Sequence, residues 1–326
     1  MEIPDLGPGQ ALIKISFSGV CHTQLLEWKG YRGPDDYLPH CLGHEASGFV
    51  SDVGSEVTKV KPGDPVILSW IKGSGANAPG TLYRWGDKSV NAGAVTTFSQ
   101  HAVVSENRLT IIPKDTSMQE AALVGCAVPT GVGAVLNTGQ AKHGQSVVIF
   151  GAGGIGLCAV AGAVIAGCDP IIAVDVRANK LSLASAMGAT HGIDASETDA
   201  IEDIKRICSG GTDLAVEASG RPEVMLQALK SVRQEGGIAI IIGNAPYGET
   251  IDLDPRELNL GKQLRGTWGG DSWPDRDFPN YCEFIRSGKL NLQPLLSQTY
   301  SLQQINEAVR DLAESKVLRP IIDMDA

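Results

Sequence analysis

Residues 146–175 constrain the fold of this chain more than any other stretch. Val147, Val148, Ile149 and Phe150 form an unbroken apolar run, the pattern of a strand covered on both faces of a parallel sheet. Gly151, Gly153 and Gly156 follow at G-x-G-x-x-G spacing and lead into a segment rich in Ala and Gly, a predicted tightly packed helix. In such a turn the first glycine permits the tight bend, the second lets the backbone approach a pyrophosphate, and the third lets helix and strand pack closely. The helix N-terminus adds a positive field for phosphates. Three glycines at this spacing also describe a plain glycine-rich turn. The context decides, because a second apolar strand over 171–174 ends in Asp175, about 20 residues on, where an acid accepts from the adenosine ribose hydroxyls. The candidate dinucleotide site is therefore Gly151, Gly153, Gly154, Ile155 and Gly156 with Asp175. The carboxylate of Asp175 repels a 2′-phosphate, so NAD is expected rather than NADP. Arg177 is expected to be a solvated surface residue.

The pattern around this stretch alternates strands and helices from about residue 131 to 266. Strands are predicted over 214–216 and 238–242 and helices over 177–187 and 223–231, which is a doubly wound parallel sheet of the Rossmann kind. The first 112 residues have another character. Ile13, Ile15 and Phe17 alternate with Lys14 and Ser16 as in a half-buried strand, and Gly7-Pro8-Gly9, Gly33-Pro34-Asp35 and Pro62-Gly63-Asp64 punctuate short strands. After Gly270, Trp273-Pro274 breaks the run and two amphipathic helices follow. The second is announced by a capping box, Ser301 with Gln304, ahead of Ile305 and Val309. The expected organisation is a β-rich domain made of 1–127 and 268–326, split around a dinucleotide-binding domain at 128–267.

Charge and cysteine content narrow the functions. Twenty-seven Lys and Arg against 37 Asp and Glu leave a net charge of -10, which argues against a nucleic-acid surface. No apolar run approaches the roughly 20 residues of a membrane span, and Met-Glu-Ile-Pro-Asp at the start lacks the regions of a signal peptide, so a cytoplasmic protein is expected. The seven cysteines are odd in number and never spaced C-x-x-C, so they are expected as thiols rather than disulfides.

Three of those thiol and imidazole positions suggest a metal. Cys21-His22-Thr23 and Gly43-His44-Glu45 lie in the β-rich half, where neighbours on an extended chain point to opposite sides. Cys21 and His44 then form the better ligand pair. Cys126, in Gly125-Cys126-Ala127-Val128-Pro129-Thr130-Gly131, offers a third soft ligand. Two thiolates and one imidazole leave a tetrahedral zinc with an open position, as catalytic sites require. Singly, each cysteine is also a small buried hydrophobe and His44 a hydrogen-bonded strand histidine. Cys41 is spaced C-x-x-H with His44, but one such pair lacks a partner set, and it is not expected to touch metal.

Cys21-His22-Thr23, Gly43-His44-Glu45, Gly125-Cys126 with Pro129-Thr130-Gly131, and the Gly151 turn with Asp175 resemble, in order and spacing, the zinc-dependent medium-chain alcohol dehydrogenases. The resemblance covers nearly the whole chain. It implies a GroES-like catalytic domain around a Rossmann domain, NAD-linked oxidation of a small-molecule alcohol to its aldehyde or ketone, and a homodimer or homotetramer. It implies Cys21, His44 and Cys126 as ligands of one catalytic zinc, Glu45 as a carboxylate below the metal, and Thr23 as the group that passes the alcohol proton outward. His22 and Arg319 are implied at the cofactor pyrophosphate, Lys180 at the adenosine ribose, Thr130 behind the nicotinamide, and Gly243 and Trp268 near its end. Trp70 matches an aromatic lining the alcohol pocket.

Four departures accompany the resemblance. Gln24 stands where relatives usually carry the Asp that orients the zinc-bound histidine; its amide oxygen is expected to accept the imidazole N–H, with a less basic ligand as the result. Leu26 replaces a relay histidine found in some relatives. Residues 71–97 contain none of the four cysteines that hold a structural zinc, so one zinc per chain is expected. Relatives have further β-structure ahead of Ile3-Pro4-Asp5-Leu6-Gly7-Pro8-Gly9, and an edge of the β domain is expected without its partner strand. The alternatives are a polyol or sugar dehydrogenase of the same family, a zinc-free reductase of the same superfold, and a non-catalytic NAD-binding protein.

Overall fold

The alternation around Ile13 produces strand β1 (Gln10–Gly19), in which Ala11, Ile13 and Ile15 are buried and Lys14 is exposed. A register irregularity against the neighbouring strand falls between Ile15 and Phe17, and beyond it Phe17 is half-buried while Ser18 turns inward. The computed structural model describes residues 1–296 and 298–326. They form two units, Met1–Cys126 with Trp273–Ala326, and Ala127–Ser272. Ala127 and residues 268–272 thus pack with the second unit.

In the first unit β1 is followed by α1 (His22–Trp28), β2 (Glu45–Val53), β3 (Pro65–Ser69), the hairpin β4 (Leu82–Trp85) and β5 (Lys88–Asn91), β6 (His101–Ser105), β7 (Leu109–Ile111) and α2 (Met118–Leu123). β1 is central and pairs antiparallel with both β2 and β6. β3 joins β2, and β7 joins β3, again antiparallel.

The second unit begins with α3 (Ala127–Gly133) and continues through β8 (Val147–Phe150), α4 (Gly154–Ala166), β9 (Ile171–Asp175), α5 (Ala178–Ala186), β10 (His191–Asp194), α6 (Ala200–Ile207), β11 (Leu214–Glu217), α7 (Pro222–Ser231), β12 (Ile238–Ile241), α8 (Arg256–Asn259) and β13 (Gln263–Gly266). Its strands are all parallel, in the order β10-β9-β8-β11-β12-β13. The order reverses beside β8, the switch point at which such sheets bind ligands at their carboxyl ends. All four residues of β8 are buried, as the apolar run requires of a strand covered on both faces. α4 has no polar face because it too lies inside, and at Gly156 a Cβ would fall 1.8 Å from the Gly151 carbonyl oxygen.

The chain then returns to the first unit with α9 (Pro274–Arg286), β14 (Thr299–Ser301), α10 (Ile305–Ala313) and β15 (Ile321–Asp323). β15 pairs antiparallel with β1 and carries β14 on its far side, completing a mixed sheet. Ala308 and Leu312 of α10 close one core with Leu25, Tyr300 and Ile322. The capping box is present: Gln304 Oε1 accepts the Ser301 N–H at 3.0 Å, on a short 3₁₀ turn that leads into α10. Among the described residues no helix is long and apolar enough to cross a membrane.

Candidate active site

Each of the three metal-ligand candidates is delivered by a different local device. Cys21 is the N-cap of α1, with φ -93° and ψ 153°, and the chain turns into helix immediately after it. The expectation of an extended Cys21-His22-Thr23 therefore holds for Cys21 alone. Helical geometry, not strand alternation, sends His22 to the surface and leaves Thr23 half-buried, its Oγ1 3.6 Å from Cys21 Sγ. His44 is set by Gly43, whose φ of +92° and whose absent Cβ, which would meet Thr97 Oγ1 at 2.4 Å, both demand glycine. Cys126 ends a short loop after α2 that is tied to the end of β3 by a hydrogen bond from Ser69 Oγ to the Gly125 carbonyl oxygen, 2.6 Å.

The three meet. Their ligand atoms all lie within 4.8 Å of one another, and His44 Nε2 is 3.3 Å from Cys126 Sγ. Zinc at about 2.3 Å from sulfur and about 2.0–2.1 Å from nitrogen places tetrahedral S and N ligands about 3.5 Å apart, so the residues fit the ion and leave a fourth position. Both thiols are buried. The hydrogen bond from Cys126 holds the Cys21 thiol well below the ordinary range against its burial, and the Arg319 charge helps. The same bond and its own burial hold Cys126 well above that range. Of the two buried thiols, Cys21 is thus the more easily ionised, which suits a cation ligand. Cys41 lies outside the cluster, and burial pushes its thiol up.

Beneath the cluster Glu45 opens β2 with its side chain fully buried, and Arg319 Nη2 donates to its Oε1. The side chain of Cys21 is also a hydrogen-bond partner of Arg319. Arg319 thus lies inside the first unit against Glu45, 3% exposed. Sequence reasoning missed this pairing, although a Glu beside two metal-ligand candidates is itself a signal that a buried cation must follow. Trp70 stands edge-on to His44, ring centroids 6.5 Å apart.

Gln24 corrects an expectation. Its oxygen does not accept from the imidazole; Gln24 Oε1 accepts the Cys21 backbone N–H at 2.9 Å, completing the cap of α1, and Gln24 Nε2 faces His44 Nδ1 at 2.6 Å. A cavity of about 800 Å³ is lined by Gln24, Gly43 and His44 together with Arg32, Asp35 and His40, the last two paired at 2.8 Å. Its volume is that of a small-molecule site.

In the second unit the glycine turn sits at the carboxyl end of β8. A Cβ at Gly153 would meet nothing within 4 Å, which leaves the open approach a pyrophosphate needs, and Gly153 caps α4 without any side chain. Gly154, Ile155 and Gly156 form the first turn of α4. Asp175 ends β9 and binds this turn directly: its Oδ2 accepts the Ala152 N–H at 2.8 Å and its Oδ1 the Arg177 N–H at 3.1 Å. Lys180 Nζ lies 4.0 Å from Asp175 Oδ2. These residues fit a dinucleotide carrying a free 2′-hydroxyl. Thr130 is buried within α3, Gly243 donates its N–H to the Glu217 carbonyl oxygen at 3.0 Å, and Trp268 is exposed.

Comparison with known proteins agrees with both halves. Residues 7–114 match the model of the alcohol dehydrogenase GroES-like domain, and residues 154–287 match that of zinc-binding dehydrogenases. The chain is similar to the S-(hydroxymethyl)glutathione dehydrogenase of Photobacterium damsela subsp. piscicida, 34% identical over 96% of this chain and 92% of that one. Among solved structures it is similar to an alcohol dehydrogenase zinc-binding domain protein from Burkholderia ambifaria, with TM-score 0.88 and 30% identity over 97% of this chain and 92% of that one. Benzyl alcohol dehydrogenase from Acinetobacter calcoaceticus is also similar, with TM-score 0.89 and 29% identity over 99% and 94%.

Proposed function

The chain belongs to the zinc-dependent medium-chain alcohol dehydrogenases, NAD-linked oxidoreductases of alcohols, and on that premise we propose that Cys21, His44 and Cys126 hold its one catalytic zinc and that its substrates are primary alcohols. The observation that carries the ligand assignment is the convergence of two buried sulfurs and one imidazole nitrogen within 4.8 Å. Primary alcohols are favoured because the substrates named in two relatives, benzyl alcohol and S-(hydroxymethyl)glutathione, both present a hydroxymethyl group.

When bound, zinc supplies Lewis acidity at the substrate hydroxyl and NAD accepts the hydride. The remaining work belongs to the chain's own side chains. Thr23 Oγ1, beside Cys21 Sγ, takes the hydroxyl proton and passes it outward. Leu26 cannot relay it, so the proton leaves from Thr23 to solvent or to a cofactor hydroxyl. Glu45 and Arg319 fix the charge beneath the ligands, and Trp70 borders the substrate beside His44. His22 serves the pyrophosphate, and Thr130, Gly243 and Trp268 the nicotinamide half. Asp175 and Lys180 serve the adenosine ribose, and the turn from Gly151 to Gly156 the phosphates. The catalytic domain is the unit Met1–Cys126 with Trp273–Ala326, and the nucleotide domain the unit Ala127–Ser272. The chain is a cytoplasmic homodimer or homotetramer.

A panel of primary, secondary, aromatic and polyol alcohols with NAD, run beside zinc stoichiometry, tests this reading. Primary alcohols are expected to turn over fastest with one zinc per chain, and Cys126→Ser is expected to lose zinc and turnover while keeping NAD binding. Turnover retained without metal refutes the ligand set; polyols preferred over primary alcohols refute the substrate class.

A further inference from the structure

Gln24 uses the two ends of one amide for two different partners. Its Oε1 accepts the Cys21 backbone N–H at 2.9 Å and its Nε2 lies 2.6 Å from His44 Nδ1. The chemistry fixes which amide atom is which: a backbone N–H can only donate, so the atom facing Cys21 is oxygen and the atom facing His44 is nitrogen. An amide nitrogen only donates, so His44 Nδ1 accepts. A neutral ring that accepts there carries its one proton on Nε2, which lies 3.3 Å from Cys126 Sγ.

That is the wrong nitrogen for a metal ligand. An imidazole coordinates through a lone pair and donates its other N–H outward to an acceptor. Coordination through Nε2, the atom directed at the two sulfurs, moves the proton to Nδ1, where it meets the amide NH₂ donor to donor. Turning the amide over repairs that contact but sets the NH₂ against the Cys21 N–H. No orientation of a glutamine satisfies both neighbours, whereas a carboxylate accepts from both. Gln24 is 1% exposed, so bulk water does not supply the missing bond.

We propose that Gln24 is a positioning residue that holds His44 in the tautomer opposed to coordination, so that zinc uptake by this chain sacrifices one buried hydrogen bond that a carboxylate at the same position would preserve. The proposal rests on Cys21, His44 and Cys126 as the ligand set.

Two measurements test it. Nitrogen NMR of the histidine-labelled, metal-free chain reads the ring proton directly: in the wild type His44 carries it on Nε2, and in Gln24→Glu on Nδ1. Competition with a chromophoric chelator reads zinc affinity, which tightens in Gln24→Glu by about tenfold or more, within the roughly 10–100-fold range over which such outer partners act. A wild-type His44 protonated on Nδ1, or a folded Gln24→Glu chain that binds zinc no more tightly, overturns the proposal. Should Gln24→Glu fail to fold, the wild-type tautomer decides alone. Cys126→Ser in the same competition separates the two readings. Zinc held undiminished without Cys126 overturns the ligand set itself, while lost zinc there with no tightening in Gln24→Glu overturns only the role of Gln24.

Discussion

Arg319 and Glu45 are 274 residues apart in sequence and form an ion pair in which the side chains are 3% and 0% exposed. Such a pair stabilises little over an apolar replacement, but removing one partner strands the other, at a cost of about 3–5 kcal/mol. Arg319→Met is therefore expected to lower the urea midpoint of the first unit sharply, and Glu45→Leu with Arg319→Met to recover much of the loss. A double variant whose loss equals the sum of the two single losses would show that the two charges do not act as a pair.

The carboxylate of Asp175 holds the glycine turn through Ala152, and in its proposed role its charge disfavours a 2′-phosphate. Hydrogen bonds to charged groups are worth about 1.5–3 kcal/mol, so Asp175→Ala should raise KM for NAD by about 10–100-fold. The preference for NAD over NADP should shrink with it. Steady-state kinetics with both cofactors checks this, and an unchanged ratio of kcat/KM values would remove Asp175 from cofactor selection.

Two buried thiols are expected to weaken the fold at alkaline pH. Burial pushes Cys282 of the first unit up to about 12 and Cys168 of the second up to about 11, the latter aided by the charge of Asp213. An unfolded thiol ionises near 8.5, so the stabilisation is fully present below about pH 8.5 and is lost as pH rises toward the folded values. The loss runs at about 1.4 kcal/mol per pH unit for each thiol. Denaturation between pH 8 and 11 should show this slope, and Cys282→Ala and Cys168→Ala should flatten it in their respective units.

Legibility in the sequence followed burial and range. β8 and β9 could be bounded to within a residue because strands covered on both faces have no polar positions to blur their ends. The edge strands β10 and β13 escaped notice: His191 and Gly192 are exposed and Gln263, Leu264 and Arg265 half-buried, so neither carries an apolar signal. In the Cys21, His44 and Cys126 cluster residue types and spacing picked out the three side chains that meet, but helix α1 beginning at His22 was masked by the short run after Cys21. The orientation of Gln24 and the partner of Arg319 depend on tertiary contacts, an N–H three residues away competing with a ring twenty residues away, and no periodicity records such a competition.

The most direct measurement is X-ray absorption at the zinc edge of the purified, metal-loaded chain, with zinc counted on the same sample. One zinc per chain is expected, with two sulfurs at about 2.3 Å and the remaining ligands nitrogen or oxygen at about 2.0–2.2 Å. A shell of four sulfurs, a shell with no sulfur, or a folded chain that takes up no zinc would contradict the joining of Cys21, His44 and Cys126 around one ion.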